Sequence, residues 1–104
     1  MKTLFEKFEL DYSKYNPIHE AYNGEINLNK SSLSDLLEFS KCKINKVMGD
    51  FDCGNNTLVS LEGCPKIICG SFNCMRNELT SLKFGPEIVG GNYHCNNNKL
   101  WLIK

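Results

Sequence analysis

The sequence predicts an α/β-type solenoid: a short stack of parallel strands with an irregular convex side and an N-terminal helical cap. Three observations carry this. The chain repeats itself every 21 residues, with FDCGNNTLVSLEGCPKIICGS from Phe51, FNCMRNELTSLKFGPEIVGGN from Phe72 and YHCNNNKLWLIK from Tyr93. The same residue classes recur in register: Phe51, Phe72 and Tyr93; Cys53, Cys74 and Cys95; Asn56, Asn77 and Asn98; Leu58, Leu79 and Leu100. Pro65 and Pro86, Ile67 and Ile88, and Gly70 and Gly91 keep the same step. Finally, the segment before the repeats is not repetitive and has the spacing of a helix. Self-similarity at this period marks units that bury their apolar faces only against their neighbours.

The elements follow in chain order. In residues 1–24, Leu4, Phe5, Phe8, Tyr12 and Tyr15 recur at three- to four-residue spacing, one face of an amphipathic helix. Asn16-Pro17 should end it, because the residue before proline is pushed out of the helical region. Such a helix covers the open end that a solenoid otherwise presents to water. The solenoid proper is expected over residues 25–104, in units 25–50, 51–71, 72–92 and 93–104. In the first unit Ile26, Leu28, Leu33 and Leu36 stand where the next has Phe51, Cys53, Leu58 and Leu61. That unit is four residues longer, and its SDLLEFSKC stretch, after Ser32, predicts a short helix with a capping box.

Composition narrows the function. Twelve basic and twelve acidic side chains leave no net charge, so no global field steers the chain to nucleic acid or a membrane. No apolar run approaches the ~20 residues that span a bilayer. The first fifteen residues, MKTLFEKFELDYSKY, lack the uninterrupted apolar core of a signal peptide. The expected location is therefore the cytoplasm. Six cysteines in a short chain suggest a disulfide scaffold, but three of them belong to the repeat.

Strand alternation sorts the repeated residues by face. Phe51 and Cys53 should point inward, with Asp50, Asp52 and Gly54 outward. The next units offer Ser71, Asn73, Met75 and Arg76, then Asn92, His94, Asn96 and Asn97. Gly49, Gly70 and Gly91 precede the strands, where positive φ or close backbone approach calls for glycine. Asn56, Asn77 and Asn98 read as an inward amide ladder that bonds the loop backbone of its own and the adjacent unit. A buried amide left unpaired costs about 1–3 kcal/mol, so the ladder must be satisfied.

Candidate chemistry is thin by comparison. Equivalent Cβ atoms on neighbouring strands lie ~4.8 Å apart, against the ~3.8 Å usual in a disulfide. A straight column of Cys53, Cys74 and Cys95 does not surround a tetrahedral zinc. These thiols are expected to be compact core filler. His94 and Cys95 should point to opposite faces, which spoils a thiol–imidazole pair. Gly90-Gly91 precedes a strand and not a helix, so it is a poor phosphate cradle. Asp50 and Asp52 read as a solvated face. Arg76 is the one strong cation among the outward strand residues, too few for a phosphate-tracking surface. No catalytic site, metal or cofactor is expected.

At this point the residues resemble the leucine-rich repeat. Its pattern L-x-x-L-x-L-x-x-N-x-L-x-x-L is met by Met48, Phe51, Cys53, Asn56, Leu58 and Leu61, and again by Cys69, Phe72, Cys74, Asn77, Leu79 and Leu82. The turn back resembles the short proline-containing units of bacterial effectors, and the Cys- and Asn-rich variants of bacteriophage genomes. Cys or Gly replaces Leu at several core positions. The resemblance implies a protein-interaction module; the outward residues Asp50, Asp52, Asn73, Met75, Arg76, His94 and Asn96 are then expected to bind a protein target, not nucleic acid or membrane. If phage-encoded, it would inhibit a host protein by occlusion in the host cytoplasm. The second expectation is a self-assembling homodimer joined at the uncapped C-terminal edge, formed by Tyr93, Leu100 and Trp101.

Overall fold

The computed structural model describes residues 2–100. Its body is a β-solenoid of parallel strands, coiled about four times, with little helix. One helix, α1 (Lys2–Lys7), opens the chain. Nine two-residue strands follow: β1 (Tyr15–Asn16), β2 (Ala21–Tyr22), β3 (Ile26–Asn27), β4 (Lys46–Val47), β5 (Phe51–Asp52), β6 (Ile67–Ile68), β7 (Phe72–Asn73), β8 (Ile88–Val89) and β9 (Tyr93–His94). They form two sheets, in the orders β1-β2-β4-β6-β8 and β3-β5-β7-β9. The register pairs Ile26 with Phe51, Phe51 with Phe72, and Phe72 with Tyr93, as the repeat requires.

The five-stranded sheet is where the structure departs from an irregular convex side. The return path after each proline carries a second strand, with Val47, Ile68 and Val89 in register. The physical reason lies in Ile67-Ile68 and Ile88-Val89, β-branched pairs that suit a pleated, half-buried surface. Proline just before them sets an extended approach. Each coil therefore has two strands joined by a three-residue corner, Met48–Asp50, Cys69–Ser71 or Gly90–Asn92.

Glycine at the middle of each corner answers to close approach alone. A Cβ on Gly70 would meet Asp50 Oδ1 and lie 2.8 Å from the Gly49 carbonyl carbon. The Gly70 N–H donates to Gly49 O at 3.1 Å, and the Gly91 N–H to Gly70 O at 2.8 Å. Neither Gly49, Gly70 nor Gly91 takes a positive φ; among the glycines that belongs to Gly63, at +98°. There a Cβ would lie 2.5 Å from Leu36 O. One coil later the equivalent position is Phe84, held at φ +70°.

The N-terminal segment is less helical than its spacing suggests. The helix stops at Lys7, and Glu9 turns the chain at φ +57°. Tyr12–Lys14 is a single 3₁₀ turn, capped by Asp11, whose Oδ1 accepts from the Ser13 N–H at 3.0 Å. Beyond it β1 and β2 make an antiparallel hairpin that joins the five-stranded sheet. Asn16 Oδ1 accepts from the Ile18 N–H at 3.0 Å, so Asn16-Pro17 makes a turn within that hairpin. The short helix predicted after Ser32 is reduced to a 3₁₀ turn late in that stretch, without a capping box. Ser32 sits at φ +58° and Asp35 Oδ1 accepts from the Leu37 N–H, a local turn that competes with a capping box. A 3₁₀ turn follows at Phe39–Cys42.

Phe51, Cys53, Leu58, Leu61, Ile68, Phe72, Cys74 and Leu79 are fully buried, filling the space between the sheets. An aromatic column runs the length of the stack. Phe8 meets Phe39 at 5.5 Å between centroids, Phe39 meets Phe51 at 5.5 Å, Phe51 stacks on Phe72 at 5.9 Å, and Phe72 meets Tyr93 at 5.0 Å. Burial of each enclosed phenylalanine in the column contributes on the order of 1.5–3 kcal/mol before entropy is counted.

Candidate functional site

The amide ladder is the most ordered polar feature of the molecule. Asn77 Nδ2 donates to Cys74 O in its own coil at 3.0 Å and to Cys53 O in the preceding coil at 3.1 Å. Its Oδ1 accepts from the Leu58 N–H at 2.9 Å. Asn56 repeats this one coil earlier, donating to Leu28 O and Cys53 O and accepting from the Ser31 and Leu33 N–H groups. Asn98 does so one coil later, toward Cys74 O, Cys95 O and the Leu79 N–H. The residue before each amide, Asn55, Arg76 and Asn97, takes φ between +55° and +59°, which swings the amide inward. Among the described residues no buried side-chain nitrogen or oxygen lacks a partner. The ladder belongs to the fold, as expected.

The outward face of the four-stranded sheet is where the candidate residues gather. Register places Asn27, Asp52, Asn73 and His94 side by side on successive strands. Three of these serve their own loops as well. Asp52 Oδ1 accepts from the Gly54 N–H at 2.8 Å, Asn73 Oδ1 from the Met75 N–H at 2.9 Å, and Asn27 Oδ1 from the Asn29 N–H at 2.9 Å. Asn29 also donates to both Asp52 carboxylate oxygens, at 3.1 and 3.3 Å. His94 and Asn96 are exposed on the last coil, Arg76 is exposed beside the ladder, and Met75 is half-buried. Asp50 stands apart from this row. It lies in a corner, where its Oδ1 accepts from the Ser71 N–H at 2.8 Å.

Asn27 and Asn29 join the face without having been singled out. The signal was present in the sequence, since Ile26 aligned with Phe51 already aligns Asn27 with Asp52. The outward row of the second sheet, Ala21, Lys46, Ile67 and Ile88, has no counterpart in the sequence expectation, which gives the return path no strand.

The thiols fit the role of core filler. All six are free, and Cys42, Cys53, Cys64 and Cys74 are buried. Burial pushes the Cys42 thiol up to about 11 and the Cys74 thiol up to about 12. Cys53 and Cys64 are also driven upward, chiefly by burial. A protonated, enclosed thiol is a poor nucleophile and a poor metal ligand. Burial also raises the Tyr93 phenol. Cys69 alone among the six is exposed, in a corner.

Of the expected C-terminal edge, Tyr93 is 37% exposed while its equivalent Phe72 is fully buried. Leu100 packs partly against the core. Trp101 lies outside the described residues. Among those described, no group of three or more His, Cys, Asp or Glu side chains is placed to hold a metal ion, and no helix is long and apolar enough to cross a membrane.

No protein-family model matches the chain, and searches of curated proteins and of solved structures found no significant match.

Proposed function

We propose that this chain is a non-catalytic binding module of leucine-rich-repeat type that presents the polar face of its four-stranded sheet to a protein partner. The observation that carries the reading is the in-register row Asn27, Asp52, Asn73 and His94, set on a framework whose buried side-chain nitrogen and oxygen atoms are all satisfied among the described residues. Side chains braced by their own loops lose little freedom when a partner docks, which lowers the cost of binding. The short Cys- and Asn-rich units support a phage or bacterial source, and occlusion of a host protein in the cytoplasm is the mode of inhibition that fits such a face.

The test must avoid the braces. Asp52 and Asn73 hold loops, so changing them would confuse loss of binding with loss of structure. Arg76 and His94 are exposed, and neither side chain hydrogen-bonds to another described residue. Affinity capture from lysate of the source or host cell, with the parent beside Arg76→Glu/His94→Glu, should yield a stoichiometric partner that the variant loses. Retention of that partner by a folded variant would move the site off this face.

A second reading is supported by the exposure of Tyr93, Ile88 and Phe84, on the last strands of the two sheets and the loop that leads into them. A second copy packed end to end would cover these side chains and the edges of β8 and β9, which pair with no further strand among the described residues. Molar mass in solution distinguishes the two: a concentration-independent monomer favours the partner-binding face.

A further inference from the structure

We propose that Asn23-Gly24, at the first corner of the solenoid, is a site of spontaneous deamidation that forms isoaspartate and loosens the first coil. The chain contains 13 asparagines, and one of them precedes a glycine. Without a Cβ, glycine leaves its amide nitrogen free to reach the preceding side chain.

Structure separates Asn23 from the other asparagines. Asn27, Asn56, Asn73, Asn77 and Asn98 are each held by side-chain hydrogen bonds. Asn23 is exposed, and its side-chain amide makes no hydrogen bond among the described residues. The Gly24 N–H likewise donates to no described acceptor. Nucleophile and electrophile are therefore both unengaged at this one dipeptide. The other unheld asparagines precede Lys46, Asn56, Tyr93, Asn97 or Asn98, whose side chains obstruct the approach.

The reaction balances without any oxidant. The Gly24 nitrogen, its proton lost to solvent, bonds to Asn23 Cγ. The Cγ–Nδ2 bond breaks and ammonia leaves, giving a five-membered succinimide. Water adds to one ring carbonyl. Addition at Cγ restores an ordinary aspartate, while addition at the main-chain carbonyl carbon leaves the backbone running through Cγ as isoaspartate. One water is consumed and one ammonia released.

That product inserts a methylene into the backbone where there is no slack. Asn23 N–H donates to Lys14 O at 2.9 Å, and Gly24 O accepts from the Gly49 N–H at 3.1 Å. The next corner sits so close that a Cβ on Gly49 would be 3.0 Å from the Gly24 carbonyl carbon. A longer corner moves β2 and β3 relative to β4 and β5, to which they pair.

The purified chain, incubated folded at neutral and at mildly alkaline pH, is digested and sequenced by mass spectrometry, with isoaspartyl methyltransferase labelling as a second readout. Conversion concentrated at residue 23, faster at the higher pH and rich in isoaspartate, is expected. The converted fraction should melt below the parent, whereas Asn23→Asp, which adds the charge but no methylene, should melt close to it. An intact Asn23 in the folded chain, while the same chain in denaturant converts, would overturn the site. Conversion spread evenly over the asparagines would do the same. An Asn23→Asp protein melting as low as the converted fraction would overturn the loosening.

Discussion

Asn77 shows how much one side chain can hold. Its amide joins two coils through donors to Cys53 O and Cys74 O and an acceptor for the Leu58 N–H, at a position 5% exposed. Asn77→Ala strands those backbone groups in the interior, and the expected cost is about 1–3 kcal/mol. Chemical denaturation of parent and variant measures it; an unchanged midpoint would remove the ladder as a source of stability. The thiols make a second prediction. Burial raises the folded values of Cys42 and Cys74 from an ordinary 9.0 to about 11 and about 12. Above the ordinary value the unfolded chain gives up these protons first, so it binds fewer than the folded chain. Their contribution is complete below pH 9.0 and is lost as pH rises from there through the folded values. Stability should fall between pH 9.0 and about 11, less steeply in Cys74→Ala than in the parent. Equal slopes would place the alkaline loss elsewhere.

At the scale of the element, the corner explains why two sheets can share a coil. Each later three-residue corner has to stack directly on the one before, and Gly49, Gly70 and Gly91 make that stacking possible. At Gly70 the obstructing atoms include backbone of Gly49 and Asp50, which cannot swing aside as a side chain tip does. Gly70→Ala should therefore cost about 1–3 kcal/mol despite adding only a methyl group. Calorimetry of the variant would show this as a lower melting temperature, and a parent-like value would mean the corners slide freely. Phe84 marks the opposite case, an aromatic residue in the left-handed region where the previous coil has Gly63. It is exposed and lies within 5.1 Å of the Lys83 ammonium, measured from the ring centroid.

Across the whole molecule, stability should decline toward the last coil. In a solenoid each unit is supported by its immediate neighbours, so a terminal unit has one interface where an internal unit has two. Burial follows that rule: Phe51 and Phe72 are fully enclosed, Tyr93 is 37% exposed, and Ile88 is 58% exposed. The N-terminal end is covered instead by α1 and the β1–β2 hairpin, with Phe5 and Phe8 buried in the core. Lys7 pairs with Glu38 across that junction, an exposed pair of small energetic consequence. Hydrogen exchange should therefore be fastest in β8 and β9 and slowest in β5 and β7. Uniform protection would show that the stack opens as one cooperative unit.

Periodicity was enough to specify the repeat, its register and the inward set. Phe51, Phe72 and Tyr93 pair across neighbouring strands, and the amide ladder lies where the 21-residue step puts it. Both follow from periodicity, because stacking equal lengths of chain leaves equivalent residues no other partner. The rest depended on contacts between coils. Whether Ile67-Ile68 formed a strand depended on Val47 and Val89 lying alongside to complete the ladder. The helical spacing of residues 4–15 yielded to a short helix and a hairpin, since pairing β1 with β2 and β2 with β4 satisfies backbone groups that a free helix end would leave unpaired. Asp52 and Asn73 read as free contact residues, yet their oxygens also brace loops, a role set by which N–H the fold turns toward them. Local pattern chose the side of the strand, and the neighbouring coil chose what each side chain could do there.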